Sequence, residues 1–188
     1  MPPWKGIVGK GFTASDFATY VASLSFNTWR PSFVVLHNTA LPTFAQWHSV
    51  SGEQRMQNLQ SFYRDTQGWS GGPHLFIADD FIWAFTPLTV PGVHSPSWNS
   101  VAWGVELVGD YATEVMSDEL RANAIAALTI LHGALGLDPS KLRLHREDPL
   151  TTHICPGSSV SKSDFISAVT AQLETEFPGE HPDQTALG

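Results

Sequence analysis

Two histidines and the only cysteine are the residues of this chain best suited to act together. His37 ends the apolar run Phe33–Leu36, His145 ends Leu142–Leu144, and Cys155 follows in Ile154-Cys155-Pro156-Gly157. Imidazole nitrogen and thiolate are ligands that zinc takes in tetrahedral sites, and a catalytic zinc keeps one of four positions open for water. Two His and one Cys supply three ligands, and the chain has no second Cys for a four-ligand structural site of the ribbon type. Water on such an ion is acidified to a pKa of about 7 and can attack an amide carbonyl. A nearby carboxylate would take its proton, and a donor would hold the oxyanion. Glu106, inside the apolar run Val101–Val108, and His153, two residues before Cys155, are available for these roles. In an extended loop, residues two apart face one side.

Each residue also has a plainer reading. Taken alone, His37 is a hydrogen-bonded histidine at the rim of a core, and Glu106 is one half of a salt bridge. Spacing does not decide, since the three donors lie 108 and 10 residues apart. Their shared position at or beside strand ends is what favours a site. A lone Cys with His elsewhere also admits a cysteine hydrolase, with Cys155 as nucleophile, His145 or His153 as base, and no sensitivity to chelators.

Such donors need a rigid frame. Phe33–Leu36 is short, apolar and punctuated by Pro31 and Ser32, so it reads as a buried strand. Before it, Thr13 and Asp16 cap a helix over about 14–25, with Phe17, Tyr20, Val21 and Leu24 on one face. A loop from Ala40 to Val50 follows. Ser51 and Gln54 then open a second helix, to about Arg64, carrying Met56, Leu59, Phe62 and Tyr63. The glycine-rich loop 68–73 lacks the Gly-Lys-Ser/Thr ending of a phosphate-binding loop and reads as a turn or cleft wall. His74–Ala78 and Phe81–Phe85 form a hairpin around Asp79-Asp80, and Val101–Val108 is a further strand. Ser117 opens a long helix that Gly136 stops, with Leu120, Ala124, Ala127, Leu128, Leu131 and Leu135 inward. Lys141–His145 is a short strand, and a last helix starts at Ser163. Strands alternating with helices imply an α/β fold, a single domain with a central mixed β-sheet flanked by helices. The division reads as a loose N-terminal arm over 1–12, the domain over 13–177 and a flexible polar tail over 178–188.

The composition agrees with a single globular domain: 188 residues, 42% hydrophobic and 15% charged. A net charge of −8 disfavours non-specific nucleic-acid binding, which needs clustered Lys and Arg. No apolar run approaches the roughly 18 residues of a membrane span, so membrane insertion is not expected. The first residues lack the apolar stretch of a signal peptide, which implies synthesis in the cytoplasm and another route to any work outside. Among seven Trp, Trp47, Trp69 and Trp98 fall in expected loops, where they either stack on a sugar and line a groove or cover edges of the core.

Five stretches together carry a family resemblance: FVVLHNTA, GGPHLFIADD, GVHSPSWNSVAWGVELVGDY, LRLHRED and HICPG. In that order, from about Pro31 to Val160, they resemble the zinc-dependent N-acetylmuramoyl-L-alanine amidases of type 2. That family includes phage endolysins and shares its fold with the peptidoglycan recognition proteins. The resemblance implies one zinc per chain, held by His37, His145 and Cys155. It places Glu106 where some members keep the acid that activates water, and His153 where many carry a lysine that stabilises the transition state. A histidine can donate there too, but its charge depends on pH in a way a lysine's does not. Pro73 stands where several phage members have a Tyr, so Glu106 has more of the role to carry. His94 and Asn99 match a segment that lines the substrate cleft.

The implied partner is peptidoglycan or a muropeptide, bound by a monomer. The implied setting is a phage or prophage endolysin that reaches the wall by a holin. Two alternatives remain at this level: a recognition module that binds muropeptide without cutting, and a cytoplasmic amidase that recycles soluble anhydro-muropeptides. Of the other polar residues, His74 reads as packing beside the sheet or supporting the site, His48 as a loop residue and His132 as a residue of the helix surface. Glu147 and Asp148 read as solvated, or as an orienting partner for His145.

Overall fold

The computed structural model describes residues 3–176. Its main elements are β1 (Lys10–Phe12), α1 (Ala14–Ala22), β2 (Phe33–Asn38), α2 (Phe44–Trp47), α3 (Gly52–Ser61), β3 (Leu75–Ile77), β4 (Ile82–Ala84), β5 (Ala102–Leu107), α4 (Asp118–Leu135), β6 (Arg143–Leu144) and α5 (Lys162–Glu176). The strands form one sheet in the order β1-β4-β3-β5-β2-β6. The β1–β4 and β4–β3 pairs are antiparallel, while β3–β5, β5–β2 and β2–β6 are parallel. This is the mixed α/β sheet that the alternating pattern implies.

Local chemistry explains why the helices begin and end where they do. The side chains of Thr13, Ser51 and Ser117 accept hydrogen bonds from the amides of Asp16, Gln54 and Leu120, satisfying first-turn donors that have no helical partner. Gly136 closes α4 in the left-handed region, at φ +59°, where a side chain would be strained.

Sheet register sorts the side chains onto two faces, because they alternate along each strand. Val34, Leu36, Trp103, Val105, Leu75 and Ile77 belong to a continuous apolar core with Phe17 of α1 and Leu120, Leu128 and Leu131 of α4. The opposite face carries Phe33, Val35 and His37 of β2, in register with Ala102, Gly104 and Glu106 of β5. Functional side chains on that second face thus rest on strands clamped by the core on the first. Over its far part, α3 packs so closely that a Cβ on Gly52 would stand 1.9 Å from the Trp83 ring.

Four local readings change. Residues 10–12, expected in a loose arm, add an edge strand to β4, and the amides of Lys5, Val8 and Gly9 donate to the carbonyls of Ser70, Phe85 and Ala84. An unpaired sheet edge supplies the partners this backbone needs. Within the expected loop 40–50, Thr43 and Gln46 form a capping box that starts α2, and of the two readings of Trp47 the core one holds, its ring buried against Phe76. Residues Phe62–Thr66 continue α3 as a π-helical turn. His132 is buried, its Nδ1 2.7 Å from the Leu128 carbonyl, because α4 packs against both α1 and α5 and has two covered faces. The tail expected over 178–188 lies outside the described residues.

Candidate metal centre

β2 delivers His37 near its C-terminal end. Its register partner on β5 is Glu106, so both side chains leave the same face one strand apart. On the other side of β2, β6 pairs through Arg143 and Leu144 with Val35 and Leu36, which sets His145 beside the strand end in a single 3-10 turn. Cys155 arrives on a loop that Arg146 ties back. The Arg146 amide donates to the Cys155 carbonyl at 2.8 Å, and its guanidinium donates to the carbonyls of Gly157 and Val160. Gly157 permits this turn: its φ is +100°, and a Cβ there would lie 2.4 Å from the Tyr111 backbone.

The result is a group of three donors, from His37, His145 and Cys155, whose atoms all lie within 4.8 Å of one another. His37 Nδ1 is 3.8 Å from Cys155 Sγ. Two observations fit a cation here. His145 Nε2 is buried without a hydrogen-bond partner among the described residues, an arrangement that costs about 1–3 kcal/mol unless something else satisfies it. Burial, with a smaller contribution from Glu106, pushes the Cys155 thiol up to about 12, so a thiolate in this pocket requires a positive charge beside it. Two imidazoles and one thiol are a donor set that zinc accepts with a fourth position left open.

The three donors line a cleft of about 600 Å³ together with Glu106, His153, Tyr63 and Trp69. Glu106 has no hydrogen-bond or salt-bridge partner among the described residues, so the salt-bridge reading does not apply; burial pushes its carboxyl up to about 8. His153 is exposed at the rim, its ring centroid 6.2 Å from that of His145. Trp69 is 39% exposed, stacks on Tyr63 at 5.3 Å, and borders both this cleft and an adjoining one of about 370 Å³. Asn99 lines only the smaller cleft, and its side-chain oxygen is taken by the amides of His94 and Ser95. His94 borders both clefts yet is buried, its ring hydrogen-bonded to His37 and to the Ala102 carbonyl.

Sequence reasoning missed three contributions. Tyr63 was legible only as an inward residue of a helix. The π-helical turn places it in the cleft wall, where burial, then Glu106 and Cys155, raise its phenol well above the ordinary range. It therefore remains a protonated donor. The ring is held between Trp69 and Phe85 over Gly72, where a Cβ would lie 3.0 Å from Tyr63. The second is the detail of His74, whose reading as a residue packed beside the sheet fits its place: buried, with its Nδ1 accepting from the Gly104 amide, its Nε2 donating to the Val90 carbonyl and its ring stacked on Trp29.

The third is Asp148, which is not solvated but 2% exposed. Burial alone would raise its carboxyl. Hydrogen bonds from the Ser95 and Ser97 hydroxyls, and from the Leu150 and Ser97 amides, outweigh that and hold it at about 2. Asp148 thus ties the loop after His145 to the loop after His94. No local pattern announces it, because both serines lie more than 50 residues away in the chain.

These groups set an acid limit on stability. Burial first, opposed by a backbone hydrogen bond, holds the His74 and His94 imidazoles at about 3 and about 4. At these two positions the unfolded chain therefore binds more protons below about pH 6.5, and their contribution to stability is lost as pH falls from there toward 3, against the opposite and smaller effect of the single Glu106 carboxyl. Asp148 adds a loss between about pH 4 and 2, since its folded value lies below its unfolded one. Urea unfolding with chelator present is expected to show both windows. Asp148→Asn should flatten the lower one by up to about 1.4 kcal/mol per pH unit.

Comparison with known proteins adds to this geometry. A profile of the N-acetylmuramoyl-L-alanine amidase family matches residues 27–158. The chain is 24% identical over 172 residues to peptidoglycan-recognition protein LB of Drosophila melanogaster, covering 82% of this chain and 71% of that protein. It is 29% identical over 133 residues to the N-acetylmuramoyl-L-alanine amidase of Sus scrofa, covering 68% of this chain and 22% of that longer protein. Among solved structures, the endolysin amidase LysCS from Clostridium intestinale superposes with a TM-score of 0.62 at 22% identity, covering 76% of this chain and 86% of its own. That likeness is one of fold.

Proposed function

Since the chain belongs to the N-acetylmuramoyl-L-alanine amidase family, we propose that it hydrolyses the amide bond between N-acetylmuramic acid and the L-alanine of the peptidoglycan stem, with one zinc ion held by His37, His145 and Cys155. The observation that carries this reading is the Glu106 carboxyl, unpartnered among the described residues, facing the same cleft as a three-donor cluster whose His145 Nε2 likewise has no hydrogen-bond partner among them.

Bound zinc would supply Lewis acidity to a water molecule and to the amide carbonyl. The chain's own groups do the rest. In its carboxylate form Glu106 accepts the proton that the attacking water gives up, and with the carboxyl pushed up to about 8 it can return that proton at near-neutral pH. That proton goes to the amide nitrogen as the carbon–nitrogen bond breaks. The products are a muramic acid carboxylate and a stem peptide with a free alanine amine. His153 at the rim and the Tyr63 phenol are the donors available to the carbonyl oxygen as it gains negative charge. Tyr63 is useful because Pro73 offers no donor from the loop. Tyr63→Phe is expected to lower kcat about 10²-fold, the lower end of the effect of losing an oxyanion donor, with zinc content and fold unchanged.

The direct test is product identification. Purified protein incubated with peptidoglycan and zinc is expected to release stem peptides bearing N-terminal alanine, without new reducing sugar ends. Reducing ends in place of free alanine would overturn the reading, and binding without either product would assign the chain to recognition alone. On this proposal the place of action is the bacterial wall and the role that of an endolysin. Faster turnover of intact sacculi than of soluble anhydro-muropeptides is the expected result; the reverse would assign a recycling amidase.

A further inference from the structure

His94 lies between two partners of unequal kind. Its Nε2 is 3.2 Å from the Ala102 carbonyl, and its Nδ1 is 3.1 Å from His37 Nε2. A carbonyl oxygen only accepts, so His94 Nε2 carries the hydrogen. In the neutral ring of so buried a histidine, Nδ1 is then the lone pair, and it accepts from His37 Nε2–H. His37 in turn keeps its lone pair on Nδ1, the atom that faces Cys155 Sγ at 3.8 Å. One backbone carbonyl thereby decides, through two rings, which His37 nitrogen is free to bind an ion.

The fold reserves room for this arrangement. His94 lies over Gly104 of β5, where a Cβ would come within 2.4 Å of the His94 ring. Asn99 anchors the His94 amide, and His74 packs against the far side at a ring separation of 5.7 Å. The His37 and His94 ring planes are twisted by 89° with centroids 5.1 Å apart, and the facing nitrogens, 3.1 Å from one another, are the atoms through which the two rings meet. A residue that merely lined the cleft would not need both ring nitrogens committed inside the protein.

We propose that His94 is a positioning residue, which holds His37 in its Nε2–H form against the Ala102 carbonyl and so presents Nδ1 to the ion. This rests on the reading of the cluster as a zinc site, and it deepens that reading by giving a role to a residue that meets His37 at the ring nitrogen opposite the one facing Cys155. Metal-ligating histidines whose second nitrogen loses its partner typically lose about 10–100-fold in metal affinity.

The experiment compares wild type, His94→Phe and His94→Gln. Phenylalanine keeps the ring over Gly104 but offers neither acceptor nor donor. Glutamine restores an acceptor for His37 and a donor for Ala102. Long-range proton–nitrogen NMR of the metal-free proteins reads the His37 tautomer directly, and competition with a chromophoric chelator reads zinc affinity. The expected result is a single Nε2–H form of His37 in wild type and in the glutamine variant. The phenylalanine variant should show a mixture of forms and zinc affinity lower by about 10–100-fold, with unchanged circular dichroism. A phenylalanine variant with the wild-type tautomer and zinc affinity overturns the proposal, as does a wild-type His37 protonated on Nδ1. A wild type that binds no zinc sinks the metal reading instead, and the NMR comparison still decides the relay.

Discussion

His37→Ala is expected to abolish both zinc retention and amide cleavage while the chain stays folded. The substitution removes one of three protein donors that converge within 4.8 Å. Zinc sites with four protein ligands bind with about 10–16 kcal/mol, so one ligand is worth about 3 kcal/mol, a loss of affinity on the order of 10²–10³-fold. Folding suffers less. His37 is buried on one face of β2, and its removal leaves a small cavity and deprives His94 of a donor. The combined cost of about 2–4 kcal/mol is within the stability of an ordinary domain. His37→Gln serves as the companion, since it retains a donor for His94 without an imidazole. Zinc content by elemental analysis, released N-terminal alanine and circular dichroism give three separate readouts. A His37→Ala protein that held its metal and still cut the amide would remove the centre of the proposal.

Glu106→Gln has the opposite signature: activity falls while the metal-free protein becomes harder to unfold. The carboxyl lies in a strand whose other neighbours are apolar, and burial pushes it up to about 8. Its unfolded value is about 4.3, so the unfolded chain releases a proton that the folded chain retains, and stability declines as pH rises from about 4 to 8. An amide cannot ionise, and at pH 7 the variant is expected to gain up to about 3 kcal/mol in urea unfolding without metal. Zinc affinity should change little, because Glu106 is not among the three donors. Loss of general acid–base assistance is expected to cut kcat by about 10²–10⁴, with KM changed far less. If the variant kept wild-type kcat, the proton would have to travel by another group, and His153 is the candidate exposed at the cleft rim.

The order of helices and strands was legible because its signals are local. Ser117 and Gly136 bracket α4 by satisfying or releasing backbone groups within one turn, and the Phe33–Leu36 run, short, apolar and punctuated by Pro31 and Ser32, reads better as a buried strand than as a helix. The types of the three donors were equally plain, since few side chains bind zinc and the chain has one cysteine. The short capping box at Thr43 used the same code as the one at Ser51, but a four-residue helix leaves too little periodicity to be read.

The tertiary structure alone decided the rest. Parallel register between β2 and β5 set Glu106 beside His37, the edge of β4 recruited residues 10–12, and the π-helical turn carried Tyr63 into the cleft wall. His94, read as a cleft residue, became the partner of a donor because Gly104 left space for its ring and Ala102 offered a carbonyl. Asp148 found its hydroxyls on a loop more than 50 residues away. Each of these outcomes depends on partners distant in the chain, whose identity is settled only when the sheet closes. A capping residue or an apolar period acts within a few positions and is therefore written in the sequence itself. A hydrogen bond across the sheet depends on which strands become neighbours and in what register, and no local spacing carries that information.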